Sequence, residues 1–220
     1  MLEIRQICKS FGRQQVLKDV NMTVQDGECV GIAGANGAGK STLLEIIAGG
    51  IRPDAGEIYL NGEPVSGAAL AAGIGFVPQE NPLFEELSVK DNLELWYEGK
   101  KDVIERDMEE GALSVLGISS FYNKRVSRLS GGMKKRLSIA CALAGEPELL
   151  VLDEPGAALD IEAKSAIIRY LKEYAGEGHS VVIASHEIPE LKMCDRLYGI
   201  KNSGTITDDI DNYFTDYMDM

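Results

Sequence analysis

The sequence predicts an α/β fold: a mostly parallel sheet, with an antiparallel β portion and an inserted helical subdomain. Three observations predict it. Residues 28–33, 149–152 and 181–185 are short apolar runs of strand length, as in strands buried on both faces. Helical spacing follows two of them. Residues 2–7 and 20–24 instead alternate apolar and polar side chains, as half-buried strands do.

Each element follows in order. The run at 28–33 ends at Gly34, and Leu43, Leu44, Ile46 and Ile47 then recur at helical spacing until Gly49-Gly50 stops the helix. Residues 34–42 are therefore a loop between a strand and a helix. Ile58 and Leu60 lead into a tight turn at Asn61-Gly62. From residue 86 to about 145 no clear strand appears. Leu87, Asn92, Leu93, Leu95 and Trp96 begin a helical region, which Leu113, Leu116 and Leu129 continue. "LLVLDEP" (149–155) is a buried strand with carboxylates at its C-terminal end. A helix over about 161–175 and a second buried strand at 181–185 come next. "LYGIKNSGTIT" closes with a hairpin turning at Asn202-Ser203-Gly204. The expectation is one domain over 1–220: a core of about 1–79 and 147–207, a helical subdomain of about 80–146, and an acidic tail at 208–220. That tail holds five aspartates and no basic residue, and reads as a solvated terminus.

Composition narrows the function classes. The chain has 220 residues, 45% of them hydrophobic, ample for a buried core. A formal net charge of −13 argues against non-specific binding of nucleic acid or anionic lipid. No run of eighteen apolar residues is present, and Met1–Arg5 lacks a signal-peptide layout. Cys8, Cys29, Cys141 and Cys194 form no metal-spaced pair and read as reduced thiols. The expected location is the cytoplasm.

"GANGAGKST" carries the first chemistry. Gly34-x-x-x-x-Gly39-Lys40-Ser41 fits the P-loop pattern in its strand–loop–helix setting. Backbone N–H groups along Gly34, Asn36, Gly37, Ala38 and Gly39 point at phosphate oxygens, and larger side chains would block that approach. The helix N-terminus adds partial positive charge. Lys40 supplies a full charge to the β- and γ-phosphates, and Ser41, followed by Thr42, offers a hydroxyl to Mg²⁺.

Two further signals follow. The strand at 149–152 delivers Asp153 and Glu154 to the sheet edge where the loop lies. Asp153 suits Mg²⁺, and Glu154 suits a general base for an attacking water. "RLSGGMKKRLSIACAL" then places Ser130, Gly131 and Gly132 at a helix N-terminus, a second anion site in the same chain. One explanation is that each ATP is held by the P-loop of one copy and this second site of another. Lys134, Lys135 and Arg136 read as a solvated helix face.

On these motifs the chain resembles the ATP-binding cassette (ABC) family, as a transporter ATPase subunit, over about residues 2–207. The resemblance implies a P-loop NTPase core, with ATP and Mg²⁺ as ligands. It implies roles for smaller motifs found in order: Phe11 stacking on adenine, Gln79 sensing Mg²⁺ and γ-phosphate, Asp160 in the loop that crosses a dimer, and His186 contacting γ-phosphate. Met133 stands where the signature often has glutamine, and Gly156-Ala157-Ala158 where Thr-Ser-Gly is common. The implied partners are a second ATPase domain, in a homodimer or pseudo-dimer, and a transmembrane permease on a separate chain that holds this one at the inner face of the membrane. "LFEELSVKDNL" with "SGGMKKRL" leans toward export. The alternative is a soluble ABC ATPase of assembly or regulation. A GTPase switch lacks its asparagine–lysine–x–aspartate motif here.

Overall fold

The computed structural model describes residues 1–201 and 203–208. Asn202 and the tail beyond Asp208 lie outside the described residues. The chain runs β1 (Leu2–Phe11), β2 (Gln14–Val24), β3 (Cys29–Gly34), α1 (Lys40–Ile47), β4 (Ala55–Leu60), β5 (Glu63–Val65), α2 (Ala68–Ala71) and β6 (Ile74–Val77). It continues through α3 (Val89–Trp96), α4 (Lys101–Glu110), α5 (Ala112–Val115), two 3₁₀ turns at Ile118–Phe121 and Val126–Arg128, and α6 (Gly131–Leu143). It closes with β7 (Leu149–Asp153), α7 (Ile161–Gly176), β8 (Ser180–Ser185), α8 (Ile188–Lys192), β9 (Arg196–Ile200) and β10 (Ile206–Thr207).

Two sheets form. The first, ordered β2-β1-β4-β5, is antiparallel throughout. The second, ordered β10-β9-β3-β8-β7-β6, is parallel except for β10. Alternate residues of its central strands feed two cores. Leu149, Val151, Val182 and Ala184 join the cluster shared with α1 and the antiparallel sheet. Leu150, Leu152, Val181 and Ile183 join the cluster shared with α3 to α7. Burial on both faces explains why these strands read as continuous apolar runs.

β1 and β2 are longer than their alternation announces. Register shifts between Ile4 and Ile7 and between Ile7 and Lys9 break the period of two, and the strand continues beyond them to Phe11. β6 carries Gly75 in a four-residue strand and gives almost no sequence signal. Between β6 and β7 the described elements are helical, apart from a single bridge between Ser88 and Arg125.

Two expectations need correction. Leu129 does not continue a helix: its backbone is extended (φ −81°, ψ 147°), between a 3₁₀ turn and α6. Nor are Lys134, Lys135 and Arg136 a solvated face. Lys135 is 3% exposed. Arg136 donates through Nη1 to the Leu116 carbonyl (3.3 Å) and lies over the Phe121 ring. Lys134 pairs with Glu85. The reason is that α6 is buried on most of its circumference, so long basic side chains must run along its neighbours.

Candidate active site

Parallel pairing brings four strand ends to one edge. Ala33 of β3 lies opposite Ser185 of β8, Asp153 of β7 opposite Ala184, and Val77 of β6 opposite Leu152. The residues that follow, namely the 34–42 loop, Glu154, His186 and Gln79, therefore meet at the carboxyl end of the sheet, where α/β sheets place ligands.

They line one open cleft of about 590 Å³. Phe11 and Val16 form one wall, and Asn36, Gly37, Gly39, Lys40, Ser41 and Thr42 form the floor. Gln79, Asp153, Glu154, Ala157 and His186 complete it. Gly34 sits in β3, where an added Cβ would press the Ile200 carbonyl at 3.2 Å. Ala38 is buried, its N–H bonded to the Ala35 carbonyl (3.1 Å).

Two glycines show what the loop demands. Gly37 (φ +81°) faces open space, so its lack of a side chain is required by backbone conformation and not by a neighbour. Gly39 (φ +109°) combines that conformation with contact against β2, where a Cβ would lie 3.2 Å from the Val16 carbonyl. Gly39 is also the N-cap of α1, so no side chain caps that helix and its first turn holds no acidic residue. Uncapped N–H groups at a helix start, facing a cleft, are an anion site.

Lys40 is buried at 6% exposure, with Nζ donating to the carbonyls of Gly34 (2.7 Å) and Ala35 (3.3 Å). Asp153 is 3% exposed and lines the cleft with Ser41, whose hydroxyl favours the ionised carboxylate. Burial pushes its carboxyl pKa up; Ser41 and the charges of Lys40 and Lys135 pull the other way. Hydroxyl and carboxylate side by side are hard oxygen donors of the kind Mg²⁺ takes alongside substrate phosphates. Glu154 faces His186, whose Nδ1 lies 2.9 Å from each carboxylate oxygen. Glu154 has left-handed backbone (φ 51°), uncommon for a residue with a side chain. Phe11 is 53% exposed beside the cleft.

Four of the sequence-derived residues stand apart. Ser130 is the N-cap of α6, its Oγ accepting from the Met133 N–H (3.3 Å), and Ser130 and Gly131 are exposed. Gly132 packs on the loop before α7: a Cβ there would lie 2.7 Å from the Ala158 carbonyl. Asp160 caps α7, accepting from the Ala163 N–H (2.8 Å). None of the four lines the cleft of its own chain.

The sequence reading missed two buried charged groups. Lys135 donates to the carbonyls of Pro78 (3.1 Å) and Gln79 (3.3 Å). Glu190 is 2% exposed, and its Oε2 has no hydrogen-bond partner among the described residues; a Cβ on Gly156 would overlap its Oε1. The near-continuous apolar stretch after Arg136 was the available sign that α6 is deeply buried. Glu190 had no sign beyond lying four residues after His186.

Comparison with known proteins places this geometry. The family model described as "ABC transporter" matches residues 17–157. Nod factor export ATP-binding protein I of Rhizobium etli is 37% identical over 212 residues, covering 94% of this chain and 67% of the relative. Its namesake in Bradyrhizobium diazoefficiens is 40% identical over 197 residues, covering 87% and 64%. The chain thus spans about two thirds of the length of these relatives. Among solved structures, the ATP-binding cassette MJ0796 in a dimeric post-hydrolysis state with ADP and Pi matches with TM-score 0.85 and 30% identity, covering 94% of this chain and 96% of that one. An ATP-binding subunit of an ABC transporter matches with TM-score 0.86 and 28% identity, covering 98% and 93%. By these matches the chain is an ATPase and belongs to the ABC transporter family as an ATP-binding subunit.

Proposed function

We propose that this chain binds MgATP in the cleft, closes it against Ser130–Gly132 of a second ATPase domain, and couples hydrolysis to export by a separate membrane permease. One observation carries the reading: Ser130 and Gly131 present an exposed helix start that does not line their own chain's cleft. An anion site so placed serves a ligand held elsewhere, and a second copy supplies it.

Within the cleft the roles divide by chemistry. The 34–42 backbone and the α1 N-terminus cradle the phosphates, with Lys40 as their full positive charge. Ser41, Asp153 and Gln79 would hold Mg²⁺, which supplies charge neutralisation at the β- and γ-oxygens. Glu154 accepts a proton from water as its oxygen bonds the γ-phosphorus and the bond to the β-bridging oxygen breaks, leaving ADP and phosphate. His186, against Glu154, orients that carboxylate and reaches toward the γ-phosphate. Phe11 stacks on the base, and Asp160 lies in the loop facing the second copy. Among the described residues no helix is long and apolar enough to cross a membrane; the proposed membrane partner is a permease on a separate chain. The relatives' printed name, an export ATP-binding protein, supports the direction. Exposed Phe84, at the entry to the helical stretch, is the proposed contact with that permease.

The test is oligomeric state. Glu154→Gln with ATP and Mg²⁺ is expected to run as a dimer in size-exclusion chromatography, and with ADP as a monomer. Adding Ser130→Arg is expected to abolish the dimer while ATP still binds. A monomer under every condition, with the permease present as well as absent, would overturn the shared-site reading. A photo-crosslinker at Phe84 is expected to capture a polytopic membrane protein.

A further inference from the structure

We propose that Lys135 is a positioning residue for hydrolysis: its buried ammonium ties α6 to the Pro78-Gln79 backbone and thereby holds Gln79 in the cleft. The inference rests on the reading of Gln79 as a γ-phosphate and Mg²⁺ contact.

The placement of a charge here needs explaining. Burying an ammonium is unfavourable unless its N–H groups find acceptors. Lys135 is 3% exposed, and the acceptors it finds are two consecutive main-chain carbonyls, Pro78 at 3.1 Å and Gln79 at 3.3 Å. These carbonyls belong to the segment leaving β6, which ends at Val77. That segment has left the sheet ladder. Its next main-chain bond within the stretch is a local one, from the Leu83 N–H to the Asn81 carbonyl at 2.9 Å. Gln79 is itself exposed, with its side chain in the cleft and no helix or strand to fix it. The ammonium supplies the anchorage that secondary structure does not.

Charge completes the case. Burial pulls the Lys135 pKa down, and the negative charges of Asp153, Glu154 and Glu190 oppose that shift. The contact that geometry shows is with the Pro78-Gln79 backbone, the segment that carries the third proposed catalytic side chain. α6 also carries Ser130 at its start, so one helix holds both the strut to the Gln79 loop and the group proposed to face the second copy. A shift of about 1 Å at a catalytic group can cost up to about 10²-fold in rate, so a strut of this kind acts on turnover without touching ATP.

The test compares Lys135→Met, Gln79→Ala and the double variant. Methionine fills the apolar path of the stem and removes the donors. Lys135→Met is expected to bind ATP without Mg²⁺ within about twofold of the parent, and to lose about 10- to 100-fold in kcat with KM little changed. Without nucleotide, amide hydrogen exchange over residues 79–83 is expected to quicken by about tenfold or more, with exchange in β3 and β7 unchanged. The double variant should be no slower than Gln79→Ala alone, because both substitutions disable one element. Lys135→Arg, which keeps donors, should recover part of kcat; it also serves if Lys135→Met fails to fold. If Gln79→Ala slows hydrolysis while Lys135→Met leaves kcat and exchange unchanged, the strut is wrong and the reading of Gln79 stands. If Gln79→Ala leaves hydrolysis unchanged, the reading of Gln79 falls and takes the catalytic role of Lys135 with it.

Discussion

His186 Nδ1 stands 2.9 Å from both carboxylate oxygens of Glu154, across the ends of the neighbouring parallel strands β8 and β7. The imidazole is 55% exposed and the carboxylate 12%, and both line the cleft. A carboxylate held by an imidazole is aimed, and aim is what a general base needs. Glu154→Gln is expected to lower the hydrolysis rate by about 10²–10⁴-fold with ATP affinity preserved. His186→Ala should lower it less, because the proposed base, Glu154, remains. Single-turnover hydrolysis with equilibrium ATP binding checks both.

Lys40→Ala is expected to abolish or nearly abolish ATP binding. The ammonium is the loop's one full positive charge, and a hydrogen bond to a charged group contributes about 1.5–3 kcal/mol. In the structure it also braces the loop through the Gly34 and Ala35 carbonyls, so its loss should loosen residues 34–40. Nucleotide titration with hydrogen exchange of the loop separates the two contributions.

Phe11→Ala should weaken ATP and GTP alike, by about 1–3 kcal/mol on the scale of base–aromatic stacking. Half of the side chain is exposed, so folding stability should change little. Inorganic triphosphate serves as control: its affinity should not move.

Glu190 makes a prediction about pH. Burial raises its pKa above the ordinary 4.5, with Ser185 and the Gly156 backbone opposing. The folded protein then holds this proton more tightly than the unfolded chain. The resulting contribution to stability is present in full below pH 4.5 and is lost as pH rises through the raised value. Glu190→Gln keeps the shape of the side chain and removes the titration. It should flatten the decline of melting temperature between pH 4.5 and neutrality, measured against the parent.

Most of the architecture and the floor of the cleft were legible in the sequence, for physical reasons. Residues 149–152 and 181–185 read as buried strands because a doubly covered parallel sheet leaves no polar face. The 34–42 loop read as a phosphate cradle because close backbone approach dictates glycine at fixed spacing. What was illegible depended on long-range contact. Lys135 and Arg136 looked solvated, since a charged side chain in sequence gives no notice of the carbonyls it will meet 57 or 20 residues away. The close packing of Gly132 on the Ala158 carbonyl of its own chain was likewise not written in the sequence. β6 went unannounced because four residues with a central glycine carry too little pattern to identify.

With Glu154 as the proposed general base, its left-handed backbone sets folding against turnover at a single position. Held at φ 51°, a side chain costs about 1–2 kcal/mol that glycine would not incur. Random mutagenesis scored for heat resistance alone should therefore enrich Glu154→Gly, yielding sturdier protein that binds nucleotide and does no work. A thermostabilised version of this ATPase has to be selected on hydrolysis at every round, because at residue 154 endurance and usefulness point in opposite directions.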